Sequence, residues 1–436
     1  MKNGKNAVCR SAEEFGSASG LPFSRDTAPL LESVAAGGIA APSRIVYQPM
    51  EGCDGDPDGS PGELTVRRYS RFAAGGPGIV WFEAVAVMPE GRANPRQLSL
   101  TEKNIGRFSR LVGEIKETAV KSGNREPLVI MQATHSGRYS KPRGTPEPLA
   151  ARRAPVLEAA GEPTVVTDEY LDRVGEALVA SAALAERAGF DGVDVKSCHG
   201  YLLSDLLAAR DRPGRYGGPF ENRTRLLLDA VRGIRAVCSG RFAVASRLNV
   251  YDGREIPDGF GVGKDGEPDF DEPARLCSLL SGAGADIVNV TMGNPYFNPH
   301  VNRPFASGSY DPPEAPIDGV RRILGGAAEI KKAVPALKVV ASGLSFLGAA
   351  APGVAAAYIG AGAFDFAGFG REAIAYPDIA RDIASGRGAD PAKICLCCSK
   401  CTEIMRKPGG TPGCVVRDAG VYLPIYKKLC GKDGQK

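Results

Sequence analysis

The segment P-L-V-I-M-Q-A-T-H-S-G-R, residues 127–138, begins as an apolar strand and ends in polar residues and glycine. Similar apolar runs recur along the chain, and helical patterns separate them. Strands that are apolar on both faces and alternate with helices are typical of parallel sheets. The predicted strands are 44–49, 78–83, 127–132, 192–196, 242–247, 286–290, 338–342 and 364–368.

Eight strand–helix units predict an α/β fold, a (β/α)8 TIM barrel whose active site lies on the loops after the strands. The clearest predicted helices are 104–121, 169–188, 224–237 and 320–334. Two long segments, 139–167 and 293–316, should cover the barrel mouth. The predicted divisions are an N-terminal extension at 1–24, the barrel at 25–386 and a cysteine-rich tail at 387–436.

Residues 395–414 of the tail hold five of the eleven cysteines of the chain. Cys395, Cys398, Cys401 and Cys414 have the spacing C-x2-C-x2-C-x12-C, and Cys397 is a spare. Thiolates at this density usually bind a metal ion or an iron–sulfur cluster. A zinc site usually includes histidine, and the tail has none. A structural zinc ion held by four cysteines nevertheless remains an alternative.

Composition narrows the class of protein. The 436 residues are 43% hydrophobic, enough for a large core, and no apolar run reaches the ~18 residues of a membrane-spanning helix. The N-terminus M-K-N-G-K-N-A-V-C-R has no apolar centre, so we expect no signal peptide. Eleven clustered cysteines, an odd number, favour a reducing cytoplasmic location over a disulfide framework.

Charge is uneven along the chain. Net charge is +4, but from residue 391 onward nine Lys/Arg face three Asp/Glu, which gives +6 there and −2 elsewhere. These basic residues show no aromatic interleaving and no nucleic-acid motif, so we expect no nucleic-acid partner. The basic tail could offset the charge of a cluster, bind an acidic electron carrier or flavoprotein, or be a solvated surface.

The residues at the strand ends predict a cofactor site. Ser342, Gly343, Gly370 and Arg371 follow the last two strands, where phosphate sites recur in this fold. Gln132 and Arg247 are expected to point into the barrel from central strands, where they could hold a flat heterocycle bearing carbonyl and N–H groups. An arginine beside the pyrimidine ring of a flavin would stabilise its anionic reduced form. Together these features indicate flavin mononucleotide (FMN).

Six ordered segments carry a family resemblance over roughly residues 25–420. The chain resembles the old yellow enzyme family of FMN-dependent oxidoreductases. It looks closest to the branch with 2,4-dienoyl-CoA reductase and trimethylamine dehydrogenase, which has a four-cysteine cluster after the barrel. The segments are R-I-V-Y-Q-P-M, G-G-P-G-I-V-W-F-E-A, Q-A-T-H-S-G-R, H-G-Y-L-L, Y-G-G-P-F-E-N-R and G-R-E-A-I-A-Y-P-D.

The resemblance implies roles for individual residues. Tyr201 matches the proton-donor position, and His199 matches the second member of a pair that hydrogen-bonds a substrate oxygen. The four cysteines would hold a [4Fe–4S] cluster. Glu51 and Ser342 flank the family's cofactor positions and complete the predicted set. The implied FMN contacts are Pro49, Met50, Ala84, Gln132, Arg247, Gly343, Gly370 and Arg371.

The implied reaction is reduction of an activated C=C bond in an enone, enoate or dienoyl substrate. Reduced FMN would give a hydride to the β-carbon, and Tyr201 would protonate the α-carbon. NAD(P)H or a small carrier protein would supply electrons, with the cluster relaying them singly. No nucleotide-binding domain follows the cluster segment, so an internal FAD is not implied, and a homo-oligomer remains possible.

The chain departs from the family pattern in two places. Lys196 replaces the first member of the His pair, where it would suit an oxyanion or carboxylate, or would pair with Glu51. The third cysteine comes one residue earlier than in the C-x2-C-x3-C-x11-C spacing of dienoyl-CoA reductase, with the outer span unchanged. The role of Cys397 therefore stays open.

Several alternatives remain at this stage. The same fold could run oxidative amine or ether dealkylation and pass electrons to a carrier. A barrel lyase with a zinc-stapled tail could use Lys196 as a Schiff-base residue. A flavin-binding subunit without catalysis is a further possibility. His135 and Tyr296 could each contact ligand or only pack, and Trp81, the single tryptophan, is expected to be a strand residue packed under the helices.

Overall fold

The computed structural model describes residues 8–12, 15, 19–158 and 161–431. Parts of the predicted N-terminal extension and the last five residues of the tail lie outside these ranges. The boundaries at residues 24 and 386 therefore remain predictions.

Eight parallel strands close into a barrel, which confirms the predicted fold class. The barrel order is β10-β11-β12-β3-β4-β5-β8-β9, with β9 pairing back to β10. The strands are β1 Val34–Ala36, β2 Ile39–Ala41, β3 Ile45–Tyr47, β4 Ile79–Ala86, β5 Leu128–Thr134, β6 Leu149–Ala150, β7 Thr164–Val165, β8 Gly192–Val195, β9 Ala243–Asn249, β10 Ile287–Thr291, β11 Lys338–Ala341 and β12 Phe366–Phe369.

Helices cover the outside of the barrel, and the four that were predicted are present within a few residues of their expected bounds. Short 3-10 turns are Ala28–Leu31, Pro89–Gly91, Gly137–Tyr139, Pro155–Leu157 and Leu344–Ala350. The α-helices are α1 Glu63–Ala74, α2 Ile105–Lys121, α3 Asp168–Arg187, α4 Leu202–Leu207, α5 Phe220–Val237, α6 Asp271–Ala283, α7 Pro299–Asn302, α8 Pro316–Ala333, α9 Ala351–Gly360, α10 Arg371–Ala375, α11 Ile379–Ala384, α12 Lys400–Met405 and α13 Ala419–Cys430.

The barrel interior has its own apolar cluster, which the β1–β2 hairpin caps at the amino ends of the strands. Trp81 belongs to this interior cluster and is fully buried. Its indole N–H donates to Asp194 at 2.8 Å. The expectation that Trp81 packs under the outer helices is therefore wrong, because a strand buried on both faces carries no alternation to show which face is inside.

A bulge in β4 separates two neighbouring residues. The β4–β5 register shifts between Phe82 and Ala84. Because of this shift, Glu83 points outward to the buried guanidinium of Arg68, and Ala84 lines the interior cavity described below. Bulges near active sites commonly redirect side chains in this way.

The tail packs on the barrel through a small core of its own. Ile404, Val415 and Tyr422 form its apolar centre. The carboxylate of Asp418 accepts hydrogen bonds from Arg67 and Arg71 of α1. Among the described residues, no helix is both long and apolar enough to cross a membrane.

Candidate active site

One cavity at the carboxyl ends of the barrel strands collects every predicted catalytic and cofactor residue. We call it the central cavity; it has about 1150 Å³ of empty space, part of it open to solvent. The thirteen predicted residues that line it are Pro49, Met50, Glu51, Ala84, Gln132, Lys196, His199, Tyr201, Arg247, Ser342, Gly343, Gly370 and Arg371.

Three buried cations line the central cavity without ion pairs. Lys196, Arg247 and Arg371 are each less than 10% exposed, and none takes part in any ion pair of the described chain. Glu51 is the one carboxylate among the described lining residues. Burial of an unpaired charge costs several kcal/mol. The cavity is therefore built for a ligand with more than one negative charge.

A buried network orients the residues expected at the flavin ring. Asp194 accepts from the side-chain amide of Gln132 at 2.7 Å and from the backbone N–H of Arg247 at 2.5 Å. This leaves the Gln132 amide oxygen as an acceptor. The Arg247 guanidinium has no hydrogen bond to any described residue, and its buried Nε lacks a partner. Arg247 thus has unused donors at the cavity wall.

The predicted phosphate end depends on arginines more than on helix dipoles. Arg371 donates to the carbonyl of Pro304 at 2.7 Å, while its buried Nη1 has no partner. Arg303 lines the same cavity, and burial, followed by the nearby Arg371 charge, lowers its pKa to about 10. Only a 3-10 turn follows Gly343, and α10 has five residues. Such short segments carry a weak dipole.

Lys196 lies against Tyr201. Its Nζ is 3.9 Å from the centre of the Tyr201 ring, a cation–π contact. Burial is the largest influence on both side chains: it lowers the pKa of Lys196 and raises the pKa of Tyr201 well above its usual value. No ion pair within 4.0 Å joins Lys196 to Glu51 in the described structure, so the structural ion-pair alternative is not observed.

The ring of His199 is held in one tautomer by Asn302. The side-chain amide nitrogen of Asn302 donates to the carbonyl oxygen of Met292, and a carbonyl oxygen can only accept. The same Asn302 nitrogen lies 3.0 Å from His199 Nε2. His199 Nε2 therefore accepts, and Nδ1 carries the proton. Burial, reinforced by the Arg247 and Lys196 charges, lowers the pKa of His199 well below 6.5. The imidazole is a neutral donor.

A second, smaller cavity adjoins the first. We call it the cysteine cavity, because Cys395, Cys397, Cys398, Cys401 and Cys414 line it. Arg371, Ile374 and Cys401 are common to both cavities. Backbone N–H groups donate to Cys395 Sγ at 3.4 Å and to Cys414 Sγ at 3.2 Å. Across the described ranges, no three His, Cys, Asp or Glu side chains converge on a single-ion site.

Strained backbone marks the two cavities. Outside glycine, the described chain has four residues with positive φ: Cys53, His199, Cys397 and Ser399. His199 lines the central cavity, Cys397 and Ser399 line the cysteine cavity, and Cys53 lies two residues from Glu51. Left-handed backbone in such residues is costly and clusters at functional sites.

Several lining residues were not predicted. Most of them come from the long segment after β10 and from the tail, and the others come from the short helical segments that follow β11 and β12. Asn302 and Arg303 lie in the segment 293–316, which was predicted to cover the barrel mouth, and that prediction was the one sequence signal for them. Tyr296, from the same segment, also lines the cavity. The unpredicted residues include Pro295, Asn302, Arg303, Ser345, Ile374, Thr402, Met405 and Pro412.

His135 has a structural role outside the lining of the central cavity. Its Nδ1 accepts from the backbone N–H of Gly137 at 3.1 Å, and its Nε2 lies 2.8 Å from the hydroxyl of Tyr170. Burial lowers the pKa of His135 to about 4. The ring is therefore neutral in the folded protein.

His135 should make stability pH-dependent. The unfolded chain binds a proton near pH 6.5 and the folded protein near pH 4, so this contribution is complete above pH 6.5 and is lost as pH falls. From pH 8 to pH 5 it should cost about 2 kcal/mol. Urea unfolding of wild type and His135→Gln measures this: their stability difference should shrink by that amount. A difference that is constant between the two pH values would contradict it.

The fold and the cavity together define a class. A parallel eight-stranded barrel, with a cation-rich cavity at the carboxyl ends of its strands, is the architecture of a barrel enzyme that takes an anionic ligand. A model of the NADH:flavin oxidoreductase / NADH oxidase family matches residues 34–259. The chain belongs to this family, also called the old yellow enzyme family, and the predicted class of FMN-dependent oxidoreductases is confirmed.

Named relatives share part of their length with this chain. An NADPH dehydrogenase of Clostridium acetobutylicum is 32% identical over 216 residues, which are 49% of this chain and 61% of that protein. An NADH oxidase of Thermoanaerobacter brockii is 27% identical over 369 residues, 83% of this chain and 52% of its own length. The structure of a 2-naphthoyl-CoA reductase shares the fold, with 21% identity, a TM-score of 0.71, and coverage of 86% of this chain and 54% of that one.

Proposed function

We propose that this chain binds FMN and reduces the activated C=C bond of an unsaturated carbonyl or carboxylic substrate, with NAD(P)H as the source of electrons. The observation that carries the proposal is the set of three buried, unpaired cations in one cavity with Tyr201 and His199. An anionic cofactor and an oxyanion would together satisfy them. Bound FMN would supply the hydride at the substrate β-carbon.

The lining residues fit FMN in two groups. Arg371 and Arg303, with Ser342, Gly343 and Gly370, would hold the phosphate, and the unpartnered Nη1 of Arg371 is a ready donor. Gln132 and Arg247 offer an acceptor and donors to the polar edge of the flavin ring. Pro49, Met50, Glu51 and Ala84 supply the remaining wall.

Three side chains would act on the substrate. His199 Nδ1 and Lys196 Nζ would donate to its carbonyl oxygen and stabilise the negative charge that develops there. Tyr201 holds a proton at neutral pH because burial raises its pKa, and it would deliver this proton to the α-carbon. Family membership favours this function over the lyase that would use Lys196 as a Schiff base.

We further propose a [4Fe–4S] cluster on Cys395, Cys398, Cys401 and Cys414. Their shared cavity, the backbone N–H donors to two of their sulfurs and the left-handed residues Cys397 and Ser399 support it. In such a cluster each cysteine binds a different iron, so the sulfurs need not converge on one ion. Cys397 is completely buried and remains a possible substitute ligand.

Partners and location complete the proposal. Arg406, Lys407, Lys427 and Lys428 are exposed on the tail, where they would attract an acidic electron carrier or flavoprotein. Cys395 to Cys414 form no disulfide, which supports a reducing, cytoplasmic location. A homo-oligomer stays a prediction.

Oxidative amine dealkylation is the second candidate, because the Glu51 carboxylate in the central cavity could bind a cationic amine. Product analysis separates the two. We expect the anaerobic protein with NAD(P)H to saturate members of a panel of enones, enoates and dienoyl thioesters. Release of an aldehyde from amines, with no reduction across that panel, would contradict the reductase and support dealkylation.

A further inference from the structure

Tyr201 lines the central cavity but is almost completely buried there. The residue is 3% exposed. Its hydroxyl has one hydrogen-bonding partner among the described residues, the hydroxyl of Tyr296, at 3.2 Å. The cation of Lys196 lies over its ring. Among the described residues, the one hydrogen-bonded route for replacing a proton lost from Tyr201 therefore runs through Tyr296.

Tyr296 bridges this buried hydroxyl and the surface. It is 41% exposed, although its hydroxyl points at Tyr201. Its ring stacks on Tyr139 with centroids 3.9 Å apart and planes within 17°. Asn294 accepts from the Tyr296 backbone N–H at 2.9 Å and donates to the Tyr139 hydroxyl at 2.7 Å. The Tyr296 ring is thus held on both sides.

The cysteine segment also anchors the loop that carries Tyr296. Arg406 donates to the carbonyl of Pro295 at 3.0 Å, and Arg303 donates to Ser399 at 3.2 Å. The carbonyl of Cys397 accepts from the backbone N–H of Ala306 at 3.1 Å. These contacts fix the loop on two sides of Tyr296.

We propose that Tyr296 is a proton-relay residue that restores the proton of Tyr201 after each turnover. The inference rests on the proposed function, in which Tyr201 is the donor. When the substrate α-carbon gains a C–H bond, the Tyr201 O–H bond breaks and leaves a phenolate. The Tyr296 hydroxyl then passes its proton to that phenolate, and Tyr296 takes a proton from water. One solvent proton enters per alkene reduced, and no electrons move in the relay.

Tyr296→Phe tests the relay, because it removes the hydroxyl and keeps the ring that stacks on Tyr139. The first turnover of reduced enzyme uses the proton already on Tyr201, so its rate should stay within about twofold of wild type. Steady-state kcat should fall about tenfold or more, since reprotonation becomes limiting. That kcat should also show a larger solvent isotope effect than the wild-type value.

Tyr139→Phe is the matched control. It removes a hydroxyl from the other ring of the stack, bonded to Asn294 and not to Tyr201, and should leave kcat within about twofold. Unchanged kcat in Tyr296→Phe would overturn the relay. An equal fall in the single-turnover rate and kcat of Tyr296→Phe would also overturn the relay, because it would mean that Tyr296 only shapes the site. An equal loss of kcat in Tyr139→Phe would overturn it as well.

Tyr201→Phe, measured in the same single-turnover assay, separates this inference from the proposed function. An unchanged single-turnover rate would show that Tyr201 is not the donor, and both ideas would fail. A reduced rate in Tyr201→Phe, together with normal kcat in Tyr296→Phe, would overturn the relay alone. FMN content and thermal midpoint of each variant report whether it has folded.

Discussion

Arg371→Met should weaken FMN binding about a hundredfold while leaving the apoprotein at least as stable as wild type. The guanidinium is buried, has no ion pair and has a free Nη1. Two charge-assisted hydrogen bonds to a phosphate would contribute about 3 kcal/mol to FMN binding, which corresponds to about a hundredfold in Kd. Without FMN the same buried cation costs free energy, and methionine removes that cost.

Fluorescence titration of the apoprotein with FMN gives the Kd, and urea unfolding gives the stability. Arg138→Met is the matched control, because Arg138 is equally buried but paired with Asp205 at 2.9 Å. Breaking that pair should cost about 3–5 kcal/mol of stability, with Asp205 left uncompensated. An Arg371→Met protein that binds FMN as tightly as wild type would contradict the assignment of the phosphate end.

Tyr201→Phe should separate the two half-reactions. Reduction of bound FMN by NAD(P)H involves no proton from Tyr201, so its rate should change by no more than a few fold. Transfer to the alkene should slow by about 10²- to 10⁴-fold, the range usual for loss of a general acid. Stopped-flow flavin absorbance follows both steps.

The phenylalanine ring keeps its position beneath Lys196, so the loss would report the hydroxyl and not the packing. His199→Asn is a useful companion, since it retains a donor near the expected carbonyl oxygen and should lose less. If alkene reduction by Tyr201→Phe matches wild type, protonation comes from elsewhere and the proposed chemistry is wrong.

The barrel and its central cavity could be predicted because parallel strands bring their carboxyl ends to one edge. Gln132, Lys196 and Arg247 lie far apart in sequence, yet each lies within two residues of the carboxyl end of a strand, and closure of the barrel brings them to one cavity. Strand ends can be located from the points where the apolar runs stop. The residues that follow them in sequence therefore fall into the site without any knowledge of the loops.

Residues on the covering loop could not be predicted individually. Asn302 contacts His199, and Tyr296 contacts Tyr201, each about a hundred residues earlier, and no periodic pattern fixes the path of their loop. The predicted orientation of Trp81 was wrong for another reason, because both faces of β4 are buried and its sequence does not show which face points inward. The bulge that separates Glu83 from Ala84 also leaves no mark in the sequence.

The tail shows how much the spacing of cysteines along the sequence can predict about a site. Cys395, Cys398, Cys401 and Cys414 were grouped from their intervals, and they do line one cavity. Intervals did not reveal that Cys397 would be completely buried in the same cavity. Nor did they reveal that Arg371 would form part of the wall of both cavities.

The most direct test is an anaerobic visible spectrum of purified protein, with FMN, iron and sulfide assayed on the same sample. We predict flavin bands on a broad brown shoulder, with about one FMN and about four irons per chain. A yellow protein with zinc and no iron would contradict the proposed iron–sulfur electron relay but would leave the proposed FMN-dependent reductase activity standing. A colourless protein that cannot be reconstituted with FMN would contradict the account at its centre.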